Sequence, residues 1–333
     1  MTRVGHASLT ASCSVVRRVH SIDELAKEEN IGRVTISRLK AAGIEYLEDL
    51  VLYNPEELEE LTGIDFERAL RVIRTARRIV GWEARAIPGK EYASLLKKRE
   101  ALTTGVSSID ALTGGGLAVY DIHEFAGEFG SGKTQLCHQL AVTVQLPPSR
   151  GGLGGGVVYI DTEGTFSPER IESISARFGV EDPLSNIYVF RPLSVDELEE
   201  FVVRELSRLV KGGSRLIIVD SVIALYRAQF RGREWLAMRQ QRINYMLDWV
   251  KRLSRLYSLV AVITNQVVSV PSAWGVAVKL PAGGNIIAHA STHRFLLKKT
   301  GDAFLLEVLD SPRLARGASV EFRIEEDGLH DAR

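Results

Sequence analysis

The 333-residue sequence predicts an α/β fold, a mostly parallel twisted sheet preceded by a small all-α domain. Three observations lead there. From Leu102 onward, short apolar runs alternate with helix-period segments, the pattern of a parallel sheet wound with helices. Between the first such run and the helix after it lies Gly127-Glu-Phe-Gly-Ser-Gly-Lys-Thr134, a glycine-rich turn at a strand-to-helix junction. Ahead of Leu102, residues 21–81 carry helical patterning throughout.

In chain order, residues 1–18 are polar and aperiodic and read as a flexible tail. Residues 19–81 form the helical domain. Its glycines Gly43 and Gly63 sit in the similar settings Leu39-Lys-Ala-Ala-Gly43-Ile and Glu59-Glu-Leu-Thr-Gly63-Ile, which predicts paired helix-turn-helix units. Residues 82–101, with Pro88-Gly89 and Lys97-Lys-Arg99, read as a linker and oligomerisation segment, and 102–333 as the α/β core. Within the core the strand candidates are 119–125, 157–162, 186–190, 216–220 and 259–265. Later runs at 293–299, 304–310 and 320–325 are expected to be antiparallel. Leu136, Leu140 and Val144, four residues apart, predict a helix directly after the glycine-rich turn.

Composition narrows the class without choosing a partner. Forty-two basic residues balance 42 acidic ones, so total charge is uninformative. Cys13 and Cys137 are too far apart in sequence to suggest a disulfide framework or metal spacing. There is no apolar run of membrane-spanning length and no signal-peptide pattern, so a cytoplasmic protein without a membrane partner is expected. Charge is uneven locally. Residues 45–67 hold nine acidic side chains and no basic ones, whereas 68–99 hold ten basic against two acidic, and 227–255 eight against two. The two basic stretches are the better candidates for nucleic acid.

The turn at 127–134 matches G-x-x-x-x-G-K-[ST]. Glycines let backbone N–H groups face phosphate oxygens, a lysine adds charge at the β- and γ-phosphates, and a Ser/Thr hydroxyl reaches Mg²⁺. Gly127, Glu128, Phe129, Gly130, Ser131, Gly132, Lys133, Thr134 and the following Gln135 are therefore candidate nucleotide contacts, with ATP and Mg²⁺ the implied cofactors. A glycine-rich turn matching by chance is the competing explanation, and the strand before it and helix after it argue against that. Hydrolysis needs more than a cradle. The apolar strand Leu216-Ile-Ile-Val-Asp220 ends in an acid able to hold the metal through water. A second strand ends Tyr159-Ile-Asp-Thr-Glu163, where Glu163 is a candidate general base; a helix-capping or loop acid is the alternative. A third, Leu259-Val-Ala-Val-Ile-Thr-Asn-Gln266, would bring Gln266 to the γ-phosphate if it lay beside the strand entering the turn. Catalysis is thus expected from Glu163, Lys133 and Gln266. Residues 267–288 lack apolar periodicity and read as a long functional loop. Residues 227–241 interleave arginines with aromatics, and Arg227, Arg231, Arg233 and Arg239 suit nucleic-acid phosphates, the alternative being a solvated helix face.

These residues resemble the RecA-like recombinases, and within them the RadA group of archaea with its eukaryotic relatives. The resemblance is carried by Gly127 to Gln135, Tyr159-Ile-Asp-Thr-Glu-Gly-Thr-Phe166, Pro168-Glu-Arg170, Leu216-Ile-Ile-Val-Asp-Ser221, Arg227 to Gln241, Thr264-Asn-Gln-Val267, Gly283-Gly-Asn-Ile-Ile-Ala-His-Ala-Ser291 and Asp310-Ser-Pro312. It implies a RecA-like P-loop ATPase core with an N-terminal helix-hairpin-helix domain. The implied activity is that of a DNA-dependent ATPase which assembles as a helical filament, or a closed ring, on single- and double-stranded DNA and exchanges strands in recombination and repair. A nucleoid-associated location follows from it. The resemblance further implies Arg170 on the adenine, and His289 and Asp310 reaching the nucleotide of an adjacent subunit. Two DNA loops are implied, 227–241 and 267–284, with Gln240, Val268, Trp274, Gly283 and Gly284 joining the four arginines. The sequence departs from the family where the linker's Phe-x-x-Ala becomes Lys90-Glu-Tyr-Ala93, where Leu-Pro-Glu becomes Leu314-Ala-Arg316, and where an arginine becomes Ser167. A recombinase paralogue that assists without exchanging strands is the alternative; a ring helicase lacks a matching extra domain.

Overall fold

In a computed structural model of the chain, residues 19–82, 86–271 and 277–332 are described. The expected tail 1–18 and Trp274 lie outside them. The chain divides into two compact units, Met1–Ala86 and Ile87–Arg333.

The first unit is helical. A short 3₁₀ turn, Ile22–Lys27, precedes α1 (Arg33–Ala41), α2 (Leu47–Leu52), α3 (Pro55–Thr62) and α4 (Phe66–Val80). Local chemistry sets the boundaries. Asn54 and Glu57 form a reciprocal capping box at the start of α3, with Pro55 in its first turn. Gly63 closes α3 in the left-handed conformation, and the Asp65 side chain caps α4. Gly43, also left-handed, makes the turn between α1 and α2. Along α4, Ala69, Val72, Ile73 and Ala76 are buried at helical spacing, while Arg68, Arg71, Arg74, Arg77 and Arg78 face outward. Leu25, Leu39, Leu47, Leu50 and Leu58 are fully buried with them.

The second unit opens with α5 (Gly89–Lys97), inside the segment expected as a linker; no residue of α5 is buried. A two-stranded ribbon, β1 (Ala101–Leu102) with β2 (Leu117–Ala118), brackets α6 (Ser107–Thr113). The large sheet contains β3 (Ile122–Gly127), β4 (Gly156–Asp161), β5 (Ile187–Phe190), β6 (Ser214–Asp220), β7 (Val260–Pro271), β8 (Ala277–Pro281), β9 (His293–Thr300), β10 (Ala303–Asp310), β11 (Ser319–Glu325) and β12 (Gly328–Asp331). Its order is β12-β11-β10-β9-β3-β7-β6-β4-β5, with β8 on β7. The helices between are α7 (Lys133–Thr143), α8 (Pro168–Phe178), α9 (Val195–Glu200), α10 (Leu206–Lys211), α11 (Ala224–Gln229), α12 (Leu236–Tyr257) and α13 (Gly284–Ala290).

Strands β9, β3, β7, β6, β4 and β5 run parallel, and Leu216, Ile217, Ile218 and Val219 are wholly buried on both faces, as a doubly covered parallel sheet requires. Three expectations are corrected. The strand proposed at 119–125 begins at Ile122, because Tyr120 adopts a left-handed φ of 72° and its N–H leaves the ladder for Leu259 O. The run at 293–299 is antiparallel only to β10; it is parallel to β3. The described part of 267–288 is no irregular loop: β7 continues to Pro271 and pairs antiparallel with β8, from Val267↔Pro281 to Pro271↔Ala277. Prolines at 271 and 281 punctuate this strand pair, and backbone groups rather than a buried apolar face hold it together, so no periodicity announces it.

Candidate nucleotide site and nucleic-acid segments

The strand order places four consecutive strand ends side by side. β3 runs into the glycine-rich turn, β7 lies next to it with Gln266 as the register partner of Gly127, β6 follows with Asp220, and β4 with Asp161, two residues before Glu163. Open parallel sheets bind ligands at this edge. Gly127 must be glycine: a Cβ there would lie 2.3 Å from Ser131 Oγ and 2.6 Å from Leu297 O. The turn delivers the chain into the N-terminus of α7, where unpaired N–H groups and the helix dipole favour anions. The helix itself is buried from Leu136 to Thr143, packed between the sheet and α8, so it has no solvent face.

Lys133 Nζ donates to Gly127 O at 2.9 Å and Glu128 O at 2.7 Å. Burial pulls its ammonium below the ordinary lysine value, opposed by the carboxylates of Asp220 and Glu163. Asp220 is 2 % exposed and accepts from Thr134 Oγ1 at 2.8 Å, Tyr159 OH at 2.9 Å and Thr264 Oγ1. Burial raises its pKa despite those hydroxyls. An acid beside a helix N-terminus and a threonine hydroxyl, with its charge poorly solvated, suits a hydrated Mg²⁺ held by Thr134 and Asp220.

Glu163 is exposed at the tip of a turn that Asp161 organises. Asp161 accepts from the N–H groups of Gly164, Thr165 and Phe166 and from Arg191 Nε. Burial pushes the Asp161 carboxyl up, but the Thr165 N–H and Arg191 outweigh it and leave the carboxyl below its usual range. Glu163 Oε1 accepts from Ser221 Oγ at 2.7 Å and from Gln266 Nε2 at 3.1 Å. Gln266 Oε1 in turn accepts from Arg227 Nη1 at 3.2 Å. A continuous chain, Ser221–Glu163–Gln266–Arg227, thus connects the candidate base to the first basic segment. No sequence pattern singles out Tyr159, Ser221 or Thr264 for these contacts. Their hydroxyls carry no spacing signal, since Tyr159 of β4, Ser221 just after β6 and Thr264 of β7 reach Asp220 or Glu163 from different strands.

The remaining candidates fall in several places. Phe129 projects fully into solvent, and Glu128 pairs with Lys279 of β8 at 2.7 Å. Gly130, Ser131 and Gly132 complete the turn, and Gln135 Oε1 accepts from Arg170 Nε at 2.6 Å. Arg170 also donates to the carbonyls of Glu325 and Glu326, so its guanidinium is pinned beside the β11–β12 turn. His289 and Asp310 are not near this chain's own glycine-rich turn. They line a cavity of about 470 Å³ with Tyr120, Asp121, Lys251 and Arg255. Tyr120 and Asp121 precede β3, so that cavity lies at the opposite edge of the sheet, about 20 Å along the strand from Gly127.

Arg227 closes α11, and Arg231 and Arg233 are exposed in the turn before α12. Arg239 and Gln240 are in the first turns of α12, Arg239 Nη1 reaching Phe230 O at 3.5 Å. Val268 belongs to the β7–β8 pair, and Gly283 and Gly284 make the left-handed entry to α13. A Cβ on Gly284 would be 4.0 Å from Gln240 Nε2, which brings the end of one segment to the end of the other.

No helix among the described residues is long and apolar enough to cross a membrane. In comparison with known families, the model of the Rad51 family matches residues 97–332.

Proposed function

The chain belongs to the Rad51 family, and from that membership we propose that it is an ATP-dependent DNA recombinase of the archaeal RadA type. In this reading it assembles as a filament on single-stranded DNA, pairs it with homologous duplex and exchanges strands. The chain Ser221–Glu163–Gln266–Arg227 carries the proposal, because it joins a candidate base and phosphate sensor to a DNA-binding segment without a gap.

Lys133 exchanges its contacts with the carbonyls of Gly127 and Glu128 for phosphate oxygens when ATP binds. Glu163, oriented by Ser221, accepts the proton of the attacking water. Gln266 donates to the γ-phosphate, and loss of that phosphate returns it to Glu163 and Arg227. Thr134 and Asp220 would hold Mg²⁺, which would supply charge neutralisation at the phosphates. The four arginines of 227–241, with the β7–β8 segment, hold the single strand. Residues 19–81 act as a helix-hairpin-helix domain that holds duplex through backbone phosphates, 82–101 as the linker, and 102–333 as the core. His289 and Asp310, remote from this chain's own site, serve the nucleotide of a neighbouring subunit.

The test is strand exchange between a single-stranded circle and homologous linear duplex, with ATP and with a slowly hydrolysed analogue. Joint molecules made by this protein alone support the reading. Their absence, together with stimulation of another recombinase, favours an assisting paralogue instead. The replacement of an aromatic by Lys90 on a helix with no buried residue is the observation on that side.

A further inference from the structure

One buried carboxylate takes no part in the nucleotide chemistry above. Glu124 lies within β3 and is 0 % exposed, a position costly for an ionised side chain unless it is paired and hydrogen-bonded. Both of its oxygens are engaged. Oε1 accepts from Asn265 Nδ2 at 2.7 Å, and Oε2 from Arg294 Nε at 2.6 Å. The same Asn265 nitrogen donates to Ala282 O at 2.8 Å, while Asn265 Oδ1 is buried and has no donor among the described residues. Reversing the amide would set its oxygen against a carboxylate and a carbonyl, both acceptors, so its partners dictate the orientation.

The location gives this network its meaning. Asn265 immediately precedes Gln266 in β7, and Glu124 lies three residues before Gly127 in β3. Ala282 is where the chain leaves β8, one residue before the cap of α13, and its N–H donates to Gln266 O at 2.8 Å. Successive side chains of a strand point to opposite faces. Gln266 therefore serves the nucleotide side, and Asn265 carries the same stretch of backbone to the other side, where the root of the β7–β8 pair is gripped. Arg294 ties the assembly to β9, so three adjacent strands and the hairpin root meet at one carboxylate.

We propose that Glu124, acting through Asn265 and Ala282, is a positioning residue that couples the state of Gln266 to the β7–β8 pair, making the grip on single-stranded DNA depend on the bound nucleotide. The proposal rests on the function proposed above. It is tested in the full-length chain by the affinity for a fluorescent single-stranded oligonucleotide, measured with a slowly hydrolysed ATP analogue and with ADP. Asn265→Ala cuts the link to Ala282 and spares the Glu124–Arg294 pair. The double variant Glu124→Gln with Arg294→Gln removes both charges together and guards against misfolding of the first. Wild type is expected to show an affinity ratio between the two nucleotides within the roughly 5- to 150-fold range of such couplings, and both variants a ratio within about twofold of one, with nucleotide binding retained. A wild-type ratio preserved in both variants overturns the proposal, as does a ratio lost only in proportion to lost nucleotide binding. A wild type with no nucleotide dependence overturns instead the functional reading on which it rests.

Discussion

Asp220 shows how one side chain can be held in a state its surroundings oppose. Burial raises its pKa, and hydroxyls from Thr134, Tyr159 and Thr264 supply the hydrogen bonds that keep a carboxylate tolerable there. Glu163 is the opposite case, exposed and steered by Ser221 and Gln266. Glu163→Gln keeps the shape and removes the base, so ATP turnover is expected to fall at least about 100-fold while ATP-dependent DNA binding persists. Turnover within a few-fold of wild type in a phosphate-release assay would exclude the base assignment. His138 carries a pH prediction. Burial, with Arg170 nearby, lowers its pKa from 6.5 to about 4, and its ring accepts from the Ser167 N–H. The folded pKa lies below the unfolded one, so the unfolded chain binds the extra proton. The stabilisation is complete above pH 6.5 and is lost as pH falls toward 4, by on the order of 3 kcal/mol. His138→Gln is expected to flatten the dependence of the urea midpoint over that window. An unchanged slope would refute this account.

At the scale of elements, end chemistry and pairing decide what each segment does. The α3 capping box satisfies backbone donors that would otherwise be unpaired, so Asn54→Ala is expected to cost the first unit about 1 kcal/mol. Thermal unfolding followed by circular dichroism checks this, and no loss would mean that solvent replaces the cap. The basic segment divides between the end of α11, an exposed turn and the start of α12, with Arg233 exposed in the turn. Arg233→Ala is expected to weaken binding to single strands of any sequence and to reduce the salt slope by about one. A change confined to ATP affinity would remove that segment from the DNA interface. The second segment looks like a loop in sequence because periodicity detects buried faces. A strand pair held by its own ladder, as at Val267↔Pro281, leaves no such trace.

For the whole molecule, sheet order does what no local pattern specifies. The glycine-rich turn, Gln266, Asp220 and Glu163 come from β3, β7, β6 and β4, adjacent in space though widely separated in sequence. If the assembly acts as a recombinase, the wild-type chain alone is expected to form joint molecules with the slowly hydrolysed analogue as well as with ATP, since pairing needs the bound state rather than turnover. Electrophoresis of the circle-and-duplex reaction checks this, and a strict requirement for hydrolysis would contradict the switch. Much of this was legible beforehand. The motif at 127–134, the apolar strands ending at Asp220 and near Glu163, and the left-handed Gly63 each state their role locally, because loop chemistry, burial and backbone conformation are written in neighbouring residues. The sequence could name Gln266 as a sensor only if β7 proved to lie beside β3. That neighbour relation, the parallel pairing of β9, the hydroxyls gathered on Asp220 and the buried Glu124–Asn265–Arg294 network were decided by tertiary structure alone. The physical reason is that chain sequence specifies which strands bury both faces, whereas the partners of a buried polar group depend on which strands close against one another.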